Sequence, residues 1–246
     1  MPNVNLFIAS PKDTLRAVLA DQPVRSDPVQ LRAFLFDGED DVSSETVFTW
    51  RVSWKGSYRT YSAPVGTSSS LTVSLTLGGD RLSVVALRNG IRYREYAKMS
   101  ITGTNPTMEQ VNRALGKDEV LKAMLWQEST WRQFKSGKPL KNKGSTARGI
   151  GQVIEIYWAG GSIAHNDYFR IAWQWDYCIE AARDIFVQYQ TLVRRAFPGA
   201  SRRQVTDWTI YIYHEGPVHL KDSVDPSLNE YVKKTHQLMI EKPWEV

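Results

Sequence analysis

From residue 30 to about residue 102 the chain alternates apolar and polar positions with a period of two, in short runs separated by turn-like segments. The clearest run puts Phe48, Trp50, Val52 and Trp54 on one face and Thr49, Arg51, Ser53 and Lys55 on the other, as in a strand with one face on a core. Leu71, Val73, Leu75 and Leu77 repeat the pattern against Thr72, Ser74 and Thr76. Leu6–Ala9, Gln30–Phe36, Arg59–Ala63, Arg81–Leu87 and Ile91–Ile101 bring the total to about seven predicted strands. Gly38-Glu39-Asp40-Asp41, Gly66-Thr67-Ser68 and Gly78-Gly79-Asp80 punctuate them, and Asn89-Gly90 is a tight-hairpin signal.

After Gly103-Thr104-Asn105-Pro106-Thr107 the period changes. Proline disfavours helix in the residue before it and threonine caps a helix that starts after it, so a boundary is predicted near 104–107. Beyond it the spacing is helical: Val120, Leu121, Met124 and Leu125; then Ile179, Ala182, Ile185, Phe186, Tyr189 and Val193; then Val205, Trp208 and Ile212. Pro198-Gly199 closes the long middle helix, Ser201 caps the next and Gly216-Pro217 ends that one. The expected fold class is therefore multidomain β + α, with an all-β unit over residues 1–103 and a mainly α unit over residues 107–246. Seven short strands with a tryptophan near the middle resemble an immunoglobulin-like β-sandwich. That resemblance rests on pattern alone, and with no cysteine pair behind it an unrelated sandwich stays open.

The composition narrows the class without naming a chemistry. At 246 residues and 42% hydrophobic content the chain can bury a sizeable core. No run reaches the roughly 18 apolar residues of a membrane span, and the N-terminus has no secretory pattern. Cys178 is the only cysteine, which excludes an internal disulfide and a cysteine-based zinc site. The formal net charge of +5 favours an anionic partner, but it is shared almost evenly between the halves and forms no basic arm, so nucleic acid is not the expected partner.

Leu125-Trp126-Gln127-Glu128-Ser129-Thr130-Trp131 places a carboxylate between two indoles at a helix end. Desolvation there raises a glutamate's pKa, as a general acid needs if it is to hand a proton to a glycosidic oxygen. Next comes Gly144-Ser145-Thr146-Ala147-Arg148-Gly149-Ile150-Gly151-Gln152, a glycine-punctuated loop whose backbone can approach a ligand. His214-Glu215-Gly216-Pro217-Val218-His219 fails as a zinc-protease motif, because the second histidine comes one residue late and Gly-Pro breaks the helix. His165 and His236 read as ordinary surface or packing residues. No phosphate-binding loop, dinucleotide fingerprint or nucleophile elbow appears.

Three of these segments resemble, in order, the motifs of the soluble lytic transglycosylase family with its goose-lysozyme-like fold. Glu128-Ser129-Thr130-Trp131 is similar to the family's Glu-Ser-x-aromatic motif, Gly149-Ile150-Gly151-Gln152 to Gly-Leu-Met-Gln, and Tyr213-His214-Glu215-Gly216-Pro217 to the end of Ala-Tyr-Asn-Ala-Gly-Pro. The resemblance implies cleavage of the β-1,4 bond between N-acetylmuramic acid and N-acetylglucosamine in peptidoglycan, with closure of a 1,6-anhydro ring and no cofactor. It makes Glu128 the acid and then the base. Ser145, Gly149, Ile150, Gln152 and Trp131 would line the glycan groove, and Tyr213 would hydrogen-bond near Glu128. Methionine of the second motif is Gly151 here, and asparagine of the third is His214. Glu215 stands where a small residue is usual, as an exposed helix-end acid or an accessory carboxylate.

Two alternatives stay open at this point: a goose-type muramidase that uses water, assisted by Glu215 or Asp167, and a non-catalytic peptidoglycan-binding protein. The expected partner is the glycan strand. Action in the periplasm or cell wall without a visible leader implies delivery by phage lysis, a virion or a secretion machine, with the β unit as a docking module for a phage-tail or secretion component.

Overall fold

The computed structural model describes residues 4–20, 24–142, 144–155, 167–220 and 223–245. Nine strands come first: β1 (Val4–Ser10), β2 (Leu15–Leu19), β3 (Pro28–Asp37), β4 (Asp40–Asp41), β5 (Val47–Lys55), β6 (Thr60–Gly66), β7 (Ser70–Ser74), β8 (Arg81–Arg88) and β9 (Ile91–Gly103). They make two sheets. In one, β3 is flanked by β1 and pairs with β4 and β7; the other runs β2-β9-β8-β5-β6. The alternation along β5 is realised, with Phe48, Trp50, Val52 and Trp54 all buried. Asn89 and Gly90, at φ of 52° and 79°, make the two-residue turn that pairs Arg88 with Ile91. Strand β2 lies parallel to β9, Leu15 beside Met99 through Leu19 beside Gly103. Its partner is far along the chain, so local periodicity gave no sign of it.

Among its described residues the second half carries a short hairpin, β10 (Phe134–Lys135) and β11 (Lys138–Pro139), and the helices α1 (Met108–Leu115), α2 (Glu119–Ser129), α3 (Asp167–Trp173), α4 (Trp175–Ala196), α5 (Arg202–Glu215) and α6 (Glu230–Glu241). Thr107 with Gln110, and Ser201 with Gln204, form reciprocal capping boxes at α1 and α5. Gly216, at φ of 97°, ends α5 in a conformation that favours glycine. Helix α5 packs on α4 and α6, and α2 packs on α6.

The expected arrangement, an immunoglobulin-like sandwich followed by a mainly α lysozyme-like domain, is corrected here. The chain is a mixed α/β protein, about 37% helix and 33% strand, with several sheets. Periodicity tells which side chains turn inward but not what they meet. Trp54, on the inward face of β5, stacks on Tyr168 and Phe169 of α3 at centroid distances of 6.2 and 5.9 Å, Tyr61 of β6 packs tilted against the same two rings at 5.6 and 6.3 Å, and Trp173 meets Trp54 edge-on. One continuous hydrophobic core thus runs from Leu15 to Trp244, beside a small cluster around Val193, Val205, Trp208 and Ile212. The β10–β11 hairpin closes against β9, where Gly103 N–H donates to Gly137 O at 2.8 Å. Gly78 and Gly103 are small for the same reason, since an added methyl would strike the rings of Trp173 and Phe134.

Glu155, 1% exposed, fastens this junction. Its Oε2 accepts from the amides of Ser57 at 2.8 Å and Tyr58 at 3.2 Å, and its Oε1 accepts from the Tyr61 hydroxyl at 2.6 Å. Beside it Arg148 donates to Ser57 Oγ at 3.1 Å. Burial and the Glu155 carboxylate push the Tyr61 phenol well above its ordinary pKa, so it stays a donor. Glu155→Ala would leave the buried Tyr61 hydroxyl and two partly buried amides without their acceptor, and the expected loss of stability is about 1 to 3 kcal/mol by denaturant titration. A loss within about 0.5 kcal/mol, the scale of an ordinary surface change, would refute this reading of the junction.

Candidate functional site

Helix α2, capped by Asp118, packs Leu121, Met124 and Leu125 into the core and delivers Glu128 at its last turn. There the chain turns sharply. Thr130 and Trp131 both take left-handed backbone, at φ of 50° and 57°, a conformation that costs about 1 to 3 kcal/mol per residue without glycine. The turn drives Trp131, 2% exposed, back into the protein, where it stacks on Trp244 at 5.5 Å, meets Trp126 edge-on and donates to Lys122 O at 3.1 Å. The tryptophan expected in a groove is therefore core, and its packing fixes the end of α2 on which Glu128 stands.

Glu128 is half-buried, and its nearest partner comes from α6. The Tyr231 hydroxyl donates to Glu128 Oε1 at 2.6 Å. Tyr231 sits in the first turn of α6, where Asn229 Oδ1 accepts from its amide at 2.8 Å. The imidazole of His214 lies flat on its ring, with centroids 4.2 Å apart and planes 9° apart. Burial pushes the Glu128 carboxyl above its ordinary value, while the Tyr231 hydrogen bond and the nearby His214 pull part of the way back. Burial first, and then the nearby Glu128 charge, hold the Tyr213 and Tyr231 phenols far above theirs. Among the described residues no donor reaches Glu128 Oε2.

The glycine-rich turn is pinned from within. Gln133, fully buried, accepts from Ile150 N–H at 2.9 Å through Oε1 and donates through Nε2 to Ile171 O and Ala172 O at 2.8 and 2.9 Å. Ile150 itself is core, and Gly149, at φ of 71°, admits Gln133 where a side chain would clash. Gly149 N–H is spent on Leu140 O at 3.1 Å. The backbones of Gly149 and Ile150, expected along a groove, are thus engaged inside the protein. Ser145 Oγ accepts from Ala147 N–H at 2.9 Å and shapes the approach to the turn. Gln152, at φ of 44° and 8% exposed, donates to Gly149 O at 2.8 Å and leaves its buried Oε1 without a partner.

Tyr213 hydrogen-bonds to Gly151 O at 2.8 Å rather than to Glu128. It ties the turn to α5, and its hydroxyl is close enough for the Glu128 charge to act on it. The departure at Gly151 has a steric cause: a Cβ there would lie 2.8 Å from Ala182 Cβ and 3.5 Å from Cys178 O on α4. Cys178, fully buried, has its thiol pushed up to about 12 and accepts from Gly151 N–H at 3.4 Å, which fits a packing role. Glu215 lies 3.8 Å from His214 Nε2, with 38% of its side chain exposed. His236 is not a bare surface residue, since it bonds the buried Asp207 at 2.6 Å. His165 and the Asp167 side chain lie outside the described residues.

Among the described residues no group of three or more His, Cys, Asp or Glu gathers as a metal site would require, and no helix is long and apolar enough to cross a membrane. The sequence reading missed Tyr231 and Gln133. Asn229 as a cap and the Val232, Thr235, Leu238 spacing were the available signs of α6.

Two measurements probe this cluster. Tyr231→Phe removes a hydrogen bond that favours the carboxylate, so the Glu128 titration, followed by carboxyl carbon NMR, is expected to move up; no movement would mean the bond is absent in solution. A carboxyl whose folded pKa is raised disfavours the fold once it ionises, and stability falls as pH rises from the unfolded value towards the folded one. Glu128→Gln is therefore expected to melt higher than the parent at neutral pH, with the gap closing below about 4.5. A variant that melts lower at neutral pH would contradict the desolvation.

No protein-family model matches the chain, and no curated protein is similar to it in sequence.

Proposed function

We propose that this chain cleaves peptidoglycan glycan strands as a lytic transglycosylase, with Glu128 as its one acid and base. The observation that carries the reading is a half-buried carboxyl with a raised pKa, one oxygen held by Tyr231 and the other without a hydrogen bond among the described residues. Such a group keeps its proton at a higher pH than a free glutamate and gives it to the bridging oxygen between N-acetylmuramic acid and N-acetylglucosamine. As the C1–oxygen bond breaks, the muramoyl 6-hydroxyl attacks C1. The Glu128 carboxylate takes the hydroxyl proton, the 1,6-anhydro ring closes and water is not consumed. Tyr231 holds Oε1 in both steps, and Trp131 and Gln133 act at one remove by fixing the helix end and the neighbouring turn.

A two-carboxylate glycosidase needs a second acid at a set separation. Glu215, the acid nearest in the motif, is engaged 3.8 Å from His214 Nε2 instead. The three-motif resemblance points to the same reaction and to the cell wall as its place.

The test is digestion of purified sacculi by the full chain, with Glu128→Gln as control. Mass spectrometry is expected to find 1,6-anhydromuropeptides with the parent and a loss of at least about a thousandfold with the variant. Reducing ends would replace the transglycosylase with a hydrolytic muramidase. Binding without solubilisation would leave a glycan-binding protein, and full activity of Glu128→Gln would remove Glu128 from the chemistry.

A further inference from the structure

The outward face of the five-stranded sheet has a feature that the Glu128 site does not use. Register sets Ser62, Ser53 and Arg81 side by side across β6, β5 and β8, and Arg51, Ser83 and Tyr96 side by side across β5, β8 and β9. The short serines form the floor of a trough of about 600 Å³, and Arg51, Lys55, Arg81 and Arg94 stand around it. With strands about 4.8 Å apart, the four strands involved span about 14 Å. Four cations thus share one face with a single carboxylate, Asp80, in a chain whose whole formal net charge is only +5.

That carboxylate does not neutralise them. Asp80 Oδ2 accepts from the backbone amide of Lys55 at 3.0 Å. Among the described residues none of the four cations enters an ion pair. Arg51 is oriented by Ser62, donating to its Oγ at 2.9 Å and its carbonyl at 3.1 Å, and the Arg81 guanidinium lies 4.9 Å from the Tyr96 ring centre. Like charges gathered on one face repel, and a bound polyanion turns that repulsion into attraction.

We propose that this trough binds an anionic polysaccharide, a sugar or polyol chain carrying carboxylate or phosphodiester groups. The guanidinium groups suit either anion with forked hydrogen bonds, and the serine floor offers donors and acceptors to sugar hydroxyls. Nucleic acid fits less well. Its bases need flat stacking surfaces, and the trough offers one exposed ring, Tyr96, already flanked by Arg81. The assignment does not depend on Glu128.

Calorimetric titration of the full chain tests it with four probes: polygalacturonate, poly(glycerol phosphate), a neutral maltooligosaccharide and single-stranded DNA. One or both anionic glycans are expected to bind, in a salt-sensitive manner, and to tell carboxylate from phosphate recognition, while the neutral sugar does not bind. The double variant Arg81→Ser with Arg94→Ser, at exposed positions, is expected to weaken binding about tenfold or more. Arg113→Ser, a remote exposed cation on α1, and Glu128→Gln are both expected to leave it unchanged, so failure of the cleavage reading does not touch this one. Absence of binding by both anionic glycans, undiminished binding by the double variant, or DNA bound as tightly as the better glycan would overturn the proposal.

Discussion

The buried Glu155 carboxylate accepts from two amides at the turn of the β5–β6 hairpin and from a buried phenol on β6. A buried carboxylate is costly unless donors surround it, and three surround this one. Satisfying it fixes the spacing between the hairpin and the end of the glycine-rich turn. Because Trp54 and Tyr61 lie on the same strands, that spacing also brings their rings onto Tyr168 and Phe169. A polar clamp and an aromatic stack thus enforce one register at the joint. The clamp supplies direction and the stack supplies most of the buried area.

The same economy of contacts governs the surroundings of Glu128. Left-handed backbone at Thr130 and Trp131 is unfavourable in isolation and survives because three tryptophans lock the turn from behind. The neighbouring turn hangs on Gln133, whose amide bonds three backbone groups at once. The exposed side chain near the carboxyl is that of His214, which covers the ring of Tyr231.

Much of the local structure was legible in the sequence. The period-two run of β5, the Asn89-Gly90 turn, the caps at Thr107 and Ser201 and the stop at Gly216 are set by neighbouring residues, so a linear reading finds them. The fold as a whole was not legible, because alternation assigns Trp54 an inward face without saying that a helix more than a hundred residues later supplies the opposite wall. Helix α6 escaped for another reason. Its buried face mixes Val232 and Leu238 with Thr235, and its first turn spends an aromatic ring on a carboxyl rather than on the core. Trp131 misled because an indole beside a carboxylate in sequence need not stand beside it in space.

Gly151 and Ala182 share a space that holds only one more methyl group with difficulty. The two positions are best treated as a single volume constraint divided between a turn and a helix. Among homologous chains they should vary together, a larger residue at one answered by a smaller or displaced neighbour at the other. The size of the residue at position 151 therefore reports on how far the central helix stands away from the turn.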